Sequence, residues 1–157
     1  MFLSFHHKGA LIFIINKVST TKYEYRRKKM TRDIYHEMRP IYERAIEGTK
    51  FTLDDKLHWQ LRHEEFPITI QLPGGFNEAN SLTTYFRAPL RGQKDFAGMI
   101  AALQKLSDAH DYMVAKGFGI LEGPGSFEDG VSIGYLARIH SEEELHERIR
   151  DCEESMR

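Results

Sequence analysis

Twice in this chain a two-residue hydrophobic period gives way to a helical one, and that alternation limits the folds open to it. Ile68, Ile70 and Leu72 alternate with Thr69 and Gln71, the pattern of a strand with one face buried, and Pro73-Gly74-Gly75 ends it. Leu82, Thr84, Phe86 and Ala88 form the next alternating run, stopped by Pro89. Asp95 can then cap a long helix carrying Phe96, Met99, Ile100, Leu103, Leu106 and Met113 on one face, closed by Lys116-Gly117. The order repeats as a short strand over 118–122, a glycine loop over 123–130, and an alternating strand through Val131, Ile133, Tyr135, Ala137 and Ile139. Ser141 followed by Glu144 makes a capping box, and its helix lines up Leu145, Ile149, Cys152 and Met156.

Two strand-loop-strand-helix units that cannot each bury a sheet face alone predict an α+β fold. The expected form is a two-layer sandwich with a four-stranded antiparallel sheet built from two β-β-α units. Two helices are expected ahead of it. The first carries Ile34, Met38, Ile41 and Ala45, with Thr31 as cap, Gly48 past its end and Pro40 kinking or dividing it. The second starts at Thr52 and carries Leu53, Leu57 and Leu61 up to Pro67. The far face of the sheet would hold Thr69, Gln71, Thr83, Tyr85, Arg87, Ser132, Leu136 and Arg138.

Charge divides the chain at Met30. Residues 1–29 hold seven Lys/Arg and one acid, leaving 15 basic and 22 acidic residues from Met30 onward, a net of −7. The segment 1–29 reads as a basic extension. Its six-residue apolar run, Ala10–Ile15, is poorly placed for a secretory signal and too short to span a bilayer. Two readings stand: a basic arm ending in Arg26-Arg27-Lys28-Lys29, or a translated upstream stretch. Arg-Arg-Lys-Lys-Met can be encoded with a ribosome-binding sequence ahead of the methionine codon, which would make Met30 the natural start and the source a bacterium or phage. The remaining 30–157 read as a single acidic α+β domain, and a cytoplasmic one.

With 157 residues, 41% hydrophobic and 29% charged, the chain can bury a core without staples, which excludes disorder and fibrous architectures. A single cysteine excludes an internal disulfide and a multi-cysteine zinc site. On the apolar stripe of the last helix, Cys152 reads as a small core hydrophobe rather than a reactive thiol. His58 and His63 are five apart and do not share a helix face, HExxH is absent, and no metal or other cofactor is expected.

Catalytic candidates are few. His110 lies on the long helix's apolar stripe, where it could act as a base near Glu122 and Asp129, or pack at the core rim with one nitrogen bonded. The glycine loops 72–80 and 121–130 lack phosphate-binding motifs, but each sets a phenylalanine beside acids: Phe76 with Glu78, and Phe127 with Glu128 and Asp129. These, with Ser126 and with Tyr85 on the open sheet face, are the expected binding residues. An aromatic among acids suits a protein partner with a basic surface, whereas an acidic domain disfavours nucleic acid and nothing points to a membrane. The expectation is a small non-catalytic regulator or inhibitor of a protein partner, able to form a homodimer. The alternatives are a small hydrolase or nuclease around His110, Glu122 and the 123–130 loop, and a small-ligand sensor.

Overall fold

The computed structural model describes residues 34–56, 59–127 and 129–157, the side chain of Phe127 excepted. The chain divides into two compact units, Met1–Glu37 and Met38–Arg157. Of the first, residues 34–37 are described and are helical. The basic extension and the Thr31 cap lie outside the described residues.

The second unit is α+β. Its helices are α1 (38–45), α2 (Phe96–Ala115) and α3 (Glu142–Glu154). Its strands are β1 (Phe51–Asp54), β2 (Gln60–His63), β3 (Ile68–Gln71), β4 (Ser81–Pro89), β5 (Gly119–Phe127) and β6 (Gly130–Arg138). They form one antiparallel sheet in the order β1-β2-β3-β4-β6-β5. The first four strands run as a meander. After α2 the β5–β6 hairpin returns so that β6 pairs with β4, leaving β5 at the edge.

The sheet therefore has six strands, not four, and one leading helix is described, not two. The stretch expected as a helix from Thr52 is instead the β1–β2 hairpin. Leu53 and Leu61 do lie on one face, but as cross-strand partners in register. Period-two burial on both strands decides the matter: Phe51 on β1, and Leu61 with His63 on β2, face the core while Thr52 and Arg62 are exposed. Spacing at multiples of four satisfies both periods, so those leucines could not discriminate between them. Pro40 does not divide its helix, as α1 runs through it over 38–45. Gly48 follows it with φ 76°, a left-handed conformation suited to a residue without Cβ. The strand expected over 118–122 runs on to Phe127, so most of the expected 123–130 loop is hairpin arm.

The core lies between one face of the sheet and the helices. Leu82, Thr84 and Phe86 of β4 stand opposite Ala137, Tyr135 and Ile133 of β6 in register, and all are buried. Leu145, Ile149, Cys152 and Met156 of the last helix segment close over them. Burial pushes the Cys152 thiol up to about 12, consistent with a packing role. Asp95 Oδ1 accepts the Gly98 N–H at 2.8 Å to cap α2, and Ser141 Oγ accepts the Glu144 N–H at 3.1 Å to cap α3. The Glu144 carboxylate reaches back to the His140 N–H, one residue earlier than a standard capping box.

One buried polar network fastens the β1–β2 hairpin to α3. His63 Nδ1 accepts the N–H groups of Glu65 and Phe66 at 3.1 and 3.0 Å, so the ring proton is on Nε2, which donates to Glu153 at 3.0 Å. Glu153 also accepts the Lys50 N–H at 2.7 Å and a hydrogen bond from Arg157 at 3.0 Å. Burial opposes its charge, but these donors outweigh burial and hold its carboxyl below the usual carboxylate range. A carboxylate depressed on folding contributes stability above its unfolded pKa, and that contribution is lost as pH falls through the folded value. We expect Glu153→Gln to cost about 2–3 kcal/mol at pH 7 in urea unfolding. The gap to the wild type should narrow between pH 5 and 3, and a gap constant with pH would contradict this assignment.

Candidate functional site

The register of β4 against its neighbours fixes where the expected site residues fall. Ser81 pairs with Arg138 and Pro89 with Gly130, so the 72–80 loop and the β5–β6 turn lie at opposite ends of β4. Nine residues of strand put those ends about 27 Å apart. Phe76, half-buried, and Glu78, exposed, sit at one end. Ser126 and Asp129, both exposed, sit at the other, where Asp129 faces Arg91 at 3.8 Å. Glu128 and the Phe127 side chain lie outside the described residues. The described residues of the two loops lie at opposite ends of β4.

Tyr85 occupies the middle of the other sheet face, opposite Gly134. A Cβ on Gly134 would stand 3.0 Å from the Tyr85 ring, so the ring lies across the glycine and fills its space. Thr69, Thr83, Ser132 and Leu136 are half-buried around it, and Gln71, Arg87 and Arg138 are exposed. This face is polar and carries arginines.

The catalytic candidates are not brought together. His110 lies on α2 over the helix side of the sheet, its Nδ1 2.8 Å from the Tyr135 hydroxyl and its ring 5.8 Å from that ring. Burial pushes the Tyr135 hydroxyl well above its ordinary range, with the Asp111 charge adding to the effect. The phenol therefore stays protonated. Glu122 pairs with Gly134, and its Cβ lies near the position a Gly134 Cβ would take, on Tyr85's face of the sheet. His110 and Glu122 are on opposite faces, and Asp129 is at the hairpin tip. Among the described residues, no three His, Cys, Asp or Glu side chains group to hold a metal, and no helix is long and apolar enough to cross a membrane.

What the sequence reading missed is on α2. The single apolar face expected for this helix is split in two. Leu106, Ala109 and Met113 are buried, whereas Phe96 is 77% exposed, Ile100 54%, Leu103 40% and Val114 47%. Around the helix the order is consistent. Lys105, Tyr112 and Lys116 face Phe66 and α3, through a cation–π contact of 4.7 Å, a bond to Glu154 and an ion pair with Asp151. The buried set comes next, and the exposed stripe after it, on the flank turned away from α3. On β5, Ile120, on Tyr135's face by register, is 56% exposed and Leu121 45%. The signal was present in the sequence. Residues 96–115 contain only three charges, Lys105, Asp108 and Asp111, too few for a helix with one face in water.

Compared with known proteins, the chain matches no family model, no curated protein and no solved structure. Among the described residues, the fold and surface define a class by themselves: an α+β domain with an apolar helix flank left exposed.

Because His110 and Tyr135 form a bonded pair at the rim of the core, Tyr135→Phe should lower stability by about 1 kcal/mol in urea unfolding. A loss below about 0.3 kcal/mol would mean that the hydrogen bond adds nothing measurable.

Proposed function

We propose that this protein is a small non-catalytic regulator or inhibitor that acts by binding a protein partner, and that its docking surface is the α2 flank. The single observation that supports the reading is the exposure of Phe96, Ile100, Leu103 and Val114 along one flank of α2. A contiguous apolar surface of this kind is characteristic of an interface, because leaving it in water forgoes the free energy of covering it. Asp111 borders the stripe, so a basic group on the partner's rim is favoured by charge complementarity. The separation of His110 from Glu122 and Asp129 removes support from a hydrolytic site.

The test is the double substitution Ile100→Asp with Leu103→Asp, both at exposed positions. Partner capture from cells carrying the gene should fall at least about 30-fold, the effect of losing roughly 2 kcal/mol at an interface hot spot. Thermal stability should hold to within a few degrees. Equal capture by the wild type and the variant would rule out this surface.

A further inference from the structure

We draw no further inference here: the strongest candidate, the exposed apolar flank of α2 along Phe96, Ile100, Leu103 and Val114, carries nothing beyond the docking surface already proposed, because nothing in the structure shows what covers it.

Discussion

The layering of this protein depends on the His63–Glu153 contact, which pins α3 over the β1–β2 side of the six-stranded sheet. Helix α1 packs against α3 on that side, with the Ala45 carbonyl bonded to His146 and the Tyr42 hydroxyl donating to the Pro73 carbonyl. Helix α2 lies against β4, with His110 on Tyr135 of β6. Toward the opposite edge, apolar residues of β5 and of the outer flank of α2 stay exposed.

The apolar residues of α2 exceed what the fold buries. The helix contributes Leu106, Ala109 and Met113 to the core, and a second stripe remains. In α3 the corresponding outer surface is densely charged, with Glu142, Glu143 and Glu147 among its exposed or half-exposed residues. The two helices thus present different surfaces: α3 faces water, and α2 is suited to an interface. The acidic character of the domain resides largely on the former, which leaves the latter free for contacts driven by apolar burial.

Topology separates the described residues of the catalytic and loop-based readings. Antiparallel order sends the β3–β4 loop and the β5–β6 turn to opposite ends of β4, and alternation sends His110's neighbour Tyr135 and Glu122 to opposite faces. Nearness in sequence or similarity of composition, such as a phenylalanine beside acids in each glycine loop, carries no information about which end of a sheet a loop occupies.

The sequence alone determined the class of the fold and most of its local structure: the strands over 68–71, 81–89 and 130–138, both helix caps at Asp95 and Ser141, and the core stripe through Leu145, Ile149 and Cys152. Those follow from short-range periodicity and hydrogen bonding, which act within a few residues. It misread 52–66, where leucines at multiples of four fit a strand as well as a helix. The two extra strands, the pairing of β6 with β4 and the exposure of one α2 stripe were decided by tertiary structure. Which of two apolar flanks is buried depends on where α1 and α3 pack on the sheet, which no local pattern contains.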